Sequence, residues 1–504
     1  MDILDSRPST RTVLLGVVAV LAVAIGPFAW FSGLGFLAAW DTLIRIFGPI
    51  ALGLGLPVAV AAAGLLWEKP IATILGVLAL LGGLGYFIVG HSYLVDHRYT
   101  AGTTTTEETA SFADRAPWTV ANAFAQRDQG DVVGDRDEVH YVPAAADAQA
   151  ADGEGTSRYT ALVKGRAFLG MAGYEAVQTL GMPTTGPIPG DASSYCEVPE
   201  HMDAKLATFW PTHSLSWAIH AKAPLAHYSG GDAYAYCAGD EPVIVVPLWR
   251  WDGFWFATKV PNGAAVYTSD GLRVLSPGQL EDEGIQGPTY PRSLAERQRE
   301  AINGGGTLAD YWGKRYGYDT TSKDDEDTNA DNTSEFTVVT ATGEMQYVTP
   351  LTPRGSSQSL TATAVIPARQ TEPARATVEI NTSTDLPATS TLMTNIKESS
   401  VQGDNAWTTR WASGMTVYEI LPAQDGHWAA SIGQGQAVSY RADIAPDGTV
   451  TVTNSDTGQS STGDAPADAV TVSGGKPLAE MTEAELLEQI EHATTELQRR
   501  EGGG

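Results

Sequence analysis

The chain has 504 residues, too long for one hydrophobic core, and its 59 acidic against 31 basic side chains give a net charge of -28. The excess is not spread evenly: residues 1–98 hold five acids and five bases, so the whole imbalance falls on residues 99–504. An acidic surface of this kind excludes nucleic acid as a partner, because a phosphate backbone needs a basic one.

Three apolar stretches open the chain. Residues 12–40 contain no ionisable side chain, and residues 46–67 and 70–90 repeat the pattern. A hydrocarbon core of roughly 30 Å needs about 20 apolar residues as helix, and each stretch reaches that length. The expected spans are about 12–31, 46–67 and 70–90, a three-helix transmembrane bundle within residues 1–95, with 32–40 as the end of the first span or a short interfacial helix. Trp30, Trp40 and Trp67 fall near the expected interfaces. The first apolar run is far longer than the core of a cleaved signal peptide, and two more follow it. Arg7, Arg11 and Lys69 on one side outnumber Arg45 and Arg98 on the other, which favours a cytoplasmic N-terminus and an extracytoplasmic remainder, residues 91–504. The lipid bilayer is therefore the first expected partner. No acid or base lies in mid-span, against a self-contained pump or ion-coupled transporter. Ala72, Gly76, Ala79 and Gly83 recur at helical spacing and form a small-residue face for packing against a neighbouring span or another subunit.

Residues 96–116 read as a polar, Thr-rich tether. Residues 117–320 then read as an α+β extracytoplasmic domain, with a short helix near Trp118–Gln126 and strands at Arg158–Lys164, Val243–Val246 and Gly253–Thr258. Cys196 and Cys237 are the only cysteines, and an even pair outside the membrane predicts a disulfide. His213, His220 and His227 recur every seven residues. They are the metal-site candidates, but on one straight helix they would stand about 10 Å apart, too far to share an ion without groups folded back from elsewhere. Trp249, Trp251, Phe254, Trp255 and Phe256 make the densest aromatic cluster, a hairpin that is either packed core or a binding surface for a glycan or a protein. Ser293 and Glu296 have the spacing of a capping box for a helix after Pro291. The aromatic and basic run Leu308–Tyr318 reads as a patch that closes this domain or rests on a neighbouring one.

Residues 321–334 are an acidic linker. Residues 335–455 carry short β-like runs separated by Gly, Pro and Asp, among them Ala437–Ile444 and Thr449–Thr453 around the turn pair Asp447–Gly448, and predict a mainly-β domain, sandwich or barrel-like. After a flexible linker over 456–478, residues 479–500 form an amphipathic, coiled-coil-like helix with Leu486, Ile490, Ala493 and Leu497 as its association stripe. No catalytic motif is present, no residue qualifies as catalytic and no cofactor is implied. The expected function is a noncatalytic membrane component of a cell-envelope assembly (secretion, DNA transfer or surface machinery) that associates with protein partners or with itself. The alternative is an envelope glycan- or peptidoglycan-acting enzyme or binding protein, with a ligand sensor or a transporter accessory subunit behind it.

Overall fold

A computed structural model describes residues 35–463, apart from 109–110, 128–133, 144–155, 167–171, 207–212, 321–335, 341, 356–358, 400–406, 456 and 458–459. The expected first span 12–31, the acidic linker and the stripe Leu486, Ile490, Ala493 and Leu497 lie outside the described residues.

Two helices, Phe36–Leu66 and Pro70–Tyr99, are long and apolar enough to cross a membrane, and their apolar side chains face outward rather than into a core. This composition suggests membrane insertion. Each helix contains one π-helical turn, at Ala51–Gly55 and Tyr86–Gly90. They form a hairpin whose turn is Trp67–Lys69, with Glu68 in the left-handed region at φ 55°. A Cβ added at Gly76 would lie 2.6 Å from the Ala61 backbone nitrogen, and one at Gly83 would run into the Gly53 carbonyl. The small-residue face therefore packs on the neighbouring helix of the same chain. One member differs from expectation: Ala79 is exposed and Leu80 is half-buried, so the contact line runs through Ala72, Gly76, Leu80 and Gly83.

Both helices outlast their apolar stretches. The first begins at Phe36, ten residues before the expected span at 46, and the second continues nine residues beyond 90. Hydropathy reports where hydrocarbon solvates a helix, whereas the helix itself continues wherever its backbone bonds and a packing face persist. Arg45 is thus a mid-helix residue paired with Asp41 one turn away at 3.1 Å, not a loop residue.

The rest of the described chain, here called the head, combines helices with several β-sheets. A five-stranded antiparallel sheet runs Asp135–Arg136, Thr156–Lys164, Tyr174–Pro183, Ser193–Glu197, with His140–Tyr141 also on Thr156–Lys164. A four-stranded sheet runs Gly271–Leu275, Thr258–Thr268, Glu241–Asp252, Tyr234–Ala238. In Glu241–Asp252 the alternation is strict: Ile244, Val246 and Leu248 enter one core, Val243 and Val245 another. Cys196 and Cys237 form a disulfide between the edge strands of these two sheets. Closing a loop with a sequence separation of 41 restricts the unfolded chain by about 4 kcal/mol in the chain-entropy picture.

A six-stranded sheet takes strands from far apart in sequence: Thr104–Thr106, Glu379–Asn381, Ala362–Pro367, Met345–Pro353 and Tyr318–Thr320, with Phe336–Val339 also on Met345–Pro353. Strands on both sides of residues 321–334 share it. Residues 96–116 are built into the head instead of hanging as a tether, because Thr104–Thr106 pairs in parallel with Glu379–Asn381 and Phe112, Arg115 and Ala116 are buried. The last sheet is a five-stranded meander, Thr416–Pro422 to Ser460–Gly463, with Leu392, Ile396 and Trp407 from two helices in its core. In the helix Arg292–Glu300 the capping acceptor is Asp232 rather than a Ser293–Glu296 box: its carboxylate accepts the Ser293 backbone N–H at 2.9 Å and the Ser293 hydroxyl at 2.6 Å.

Replacing Gly83 by Leu is expected to force the two long helices apart, costing about 1–3 kcal/mol, whereas Leu at Gly82, where an added Cβ meets nothing within 4 Å, is tolerated. Thermal unfolding of both variants in detergent checks this: a lower Tm for G83L alone is the expected result.

Candidate functional site

The aromatic hairpin is the place where head and helices meet. Strand Glu241–Asp252 turns through residues 253–257 into Thr258–Thr268, and the tip lies along the helix Pro70–Tyr99. Arginines from both helices hold it. Arg45 donates to the Gly253 carbonyl; Arg98 donates to the Phe256 carbonyl at 2.8 Å and pairs with the Asp252 carboxylate. Gly253 has φ +82°, and a Cβ there would strike the Arg98 guanidinium, so the turn requires glycine. Lower on the same helix the Tyr86 hydroxyl donates to the Trp255 carbonyl at 3.2 Å.

The five expected aromatic residues thus split between roles. Trp249 is buried, and its ring stacks on His227 with centroids 4.5 Å apart, while the Lys259 ammonium sits 4.4 Å from the Trp249 ring centroid. Trp251 donates its indole N–H to the Thr42 hydroxyl at 3.2 Å, and the Phe254 ring covers Gly48, both on the first long helix. Phe256 approaches the Tyr86 ring. Trp255 alone of the five is exposed, at 42%. The cluster is therefore mostly a joint, and only its tip is available as surface.

A second set of contacts secures the end of the second helix. The Asp96 carboxylate pairs with Arg297 and accepts the Tyr311 hydroxyl at 2.8 Å. The guanidinium groups of Arg297 and Arg375 lie over the Tyr99 ring, 4.8 and 5.5 Å from its centroid, and the Tyr99 hydroxyl accepts the Lys259 backbone N–H at 2.7 Å. Burial lowers the pKa values of Lys259 and Arg375. The run Leu308–Tyr318 rests on this helix: Trp312 donates its indole N–H to the Val89 carbonyl at 2.8 Å, and the Tyr93 ring meets the Tyr311 ring edge-on. Asp96, Arg98, Arg297 and Arg375 did not stand out in the sequence. The available signal was a cluster of ionisable residues, Asp96, His97 and Arg98, directly after an apolar stretch.

The three histidines are placed in three settings. His213 lies at the surface with its Nδ1 2.8 Å from the Asp203 carboxylate. His220 is buried, its Nδ1 at 2.8 Å from the Ser216 carbonyl and its ring against Gly35. His227 is buried on Trp249. Among the described residues no group of three or more His, Cys, Asp or Glu side chains is placed to hold a metal ion. His213 and Asp203 instead line an open depression of about 600 Å³ together with His201, Trp217 and Tyr267.

No protein-family model, no curated protein and no solved structure matches the chain.

Burial, with nearby His220, pushes the His227 pKa down from 6.5 to about 4. The folded protein keeps this imidazole neutral while the unfolded chain protonates it, so stability falls as pH drops from about 6.5 to 4; His140, held near 3, acts in the same direction. Asp232, raised to about 6 by burial, opposes them by keeping its proton in the folded state. Removing the His227 contribution with H227Q is expected to make the loss of stability across this window shallower, by on the order of 3 kcal/mol at most. Tm measured against pH for the two proteins reads the difference.

Proposed function

We propose that this chain is a noncatalytic integral membrane component of a cell-envelope assembly, crossing the membrane several times and presenting its acidic head to protein partners on the extracytoplasmic side. The observation that carries the reading is the joint: two helices of spanning length are fastened to a folded head through Arg45, Arg98, Asp96 and Tyr99. Such fastening suits a platform held at fixed height and orientation over a bilayer, and suits a tethered, freely diffusing catalytic domain less well. The contacts of Trp249 with His227, Trp251 with Thr42 and Phe254 with Gly48 support a joint over the open aromatic strip that a glycan-acting enzyme would use.

The same geometry supports the proposed orientation. Gly35 packs against His220 of the head, so both long helices have their head-side ends together and the Trp67–Lys69 turn lies opposite. A span over the apolar residues 12–31 then places Arg7, Arg11 and Lys69 on one side and the head on the other, as the distribution of basic residues favours. The Cys196–Cys237 disulfide fits an oxidising compartment for the head.

Two measurements test the proposal. In intact cells a membrane-impermeant reductant followed by an impermeant maleimide is expected to tag Cys196 and Cys237; protection until the cells are lysed would reverse the orientation. After extraction in mild detergent, native mass measurement is expected to give an oligomer or a defined complex, and a lone monomer would overturn the assembly role.

A further inference from the structure

We propose that Trp255, Trp312, Tyr316, Lys314 and Arg315 form a collar that binds anionic phospholipid headgroups in the leaflet beneath the head. The proposal rests on the membrane reading above and deepens it by naming the lipid class. Height is the first argument. From Pro70 to Val89 the second helix contributes about 20 residues, roughly 30 Å at 1.5 Å per residue, which is the thickness of a hydrocarbon core. The Trp312 indole donates to the Val89 carbonyl and the Trp255 ring stands edge-on to the Tyr86 ring with centroids 6.5 Å apart, so both indoles sit where that stretch ends. Trp67, 73% exposed, marks the other end. Indole and phenol rings concentrate at such boundaries because one part of the ring is apolar and the other hydrogen-bonds.

Exposure is the second argument. Outside the two long helices the large apolar side chains that remain exposed among the described residues are Leu225, Trp255, Leu308, Trp312 and Tyr316. Leu308 shares the Trp312 helix, one turn away, and Tyr316 covers Gly305 and Gly306, where the Gly306 carbonyl accepts from Tyr93 of the second helix, so four of the five belong to the segments that rest on that helix. Water does not account for such a grouping, whereas a headgroup layer does.

Charge is the third. The chain carries -28, yet Lys314 and Arg315 stand adjacent and exposed here, and neither is in an ion pair among the described residues. Lys314 occupies a left-handed position at φ 53°, the helix C-terminal position where glycine is favoured. Lys314 and Arg315 therefore present an ammonium and a guanidinium from consecutive exposed positions, and the planar donors of the guanidinium match a phosphodiester. An ammonium and a guanidinium on an otherwise acidic head select a negatively charged lipid over a zwitterionic one.

The test uses the full chain in nanodiscs of phosphatidylcholine alone or mixed with phosphatidylglycerol. Native mass spectrometry of the released protein is expected to show retained phosphatidylglycerol, held about 10–30-fold more weakly by K314Q/R315Q at low salt and restored by K314R/R315K. Tryptophan fluorescence is expected to be quenched by lipids brominated just below the headgroup, and less so in W312F. Equal phosphatidylglycerol retention by wild type and K314Q/R315Q would overturn the collar. So would retention unchanged in K314Q/R315Q with loss of a copurifying acidic protein, which would assign the face to a protein partner. Failure of the underlying membrane reading is distinguishable: alkaline carbonate would then release the chain from native membranes, whereas an inserted chain stays in the pellet whatever its lipid preference.

Discussion

Two arginines from two helices grip one β-turn, and the placement of the head depends on that grip. Arg45 and Arg98 donate to carbonyls at the tip of the hairpin, and Asp252 returns a negative charge to Arg98. A turn exposes carbonyl groups that the ladder cannot satisfy, and an apolar helix emerging from lipid has few polar groups with which to hold anything. Placing the guanidinium groups just beyond the apolar stretch meets both needs. The aromatic residues on either side of the turn then fill the space between strand and helix, with Trp251 on Thr42 and Phe254 on Gly48.

The interior of the head is also tied across long distances in sequence. Arg115 and Glu419, each 3% exposed, form an ion pair at 3.0 Å. Both members make further contacts: the Arg115 guanidinium contacts the Tyr159 hydroxyl, and the other Glu419 oxygen accepts the backbone N–H of Trp118 at 2.6 Å, at the start of the helix Trp118–Arg127. A buried pair is tolerable when such hydrogen bonds complete it, and removing one partner typically costs about 3–5 kcal/mol. The pair joins the final meander to the segment that follows the two long apolar helices, so the head's last sheet is locked to its first helix.

The sequence revealed local features well and distant ones poorly. Ala437–Ile444 and the Asp447–Gly448 turn were legible because alternation and a turn pair act over a few residues, and the strand has the expected bounds. The disulfide was legible because there were only two cysteines to pair. The full length of the two helices was not, since the apolar pattern stops where Asp41, Arg45, Asp96 and Arg98 continue the helices into the head. The fate of the aromatic hairpin was half legible: its density was plain, but whether it was packed or open depended on helices some 150–200 residues upstream. Thr104–Thr106 resembled a tether because nothing nearby could pair with it.

That short strand has a consequence for how the protein is made. Thr104–Thr106 follows the two apolar helices early in the chain, yet its hydrogen-bonding neighbour is Glu379–Asn381. At roughly 5–20 residues per second, a ribosome reaches that neighbour about 15–55 s later. Throughout that interval the newly emerged edge is without its partner while several hundred Å of chain pass beside it. The finished sheet is therefore a late event in the making of the protein, closed only once residues 379–381 have been added.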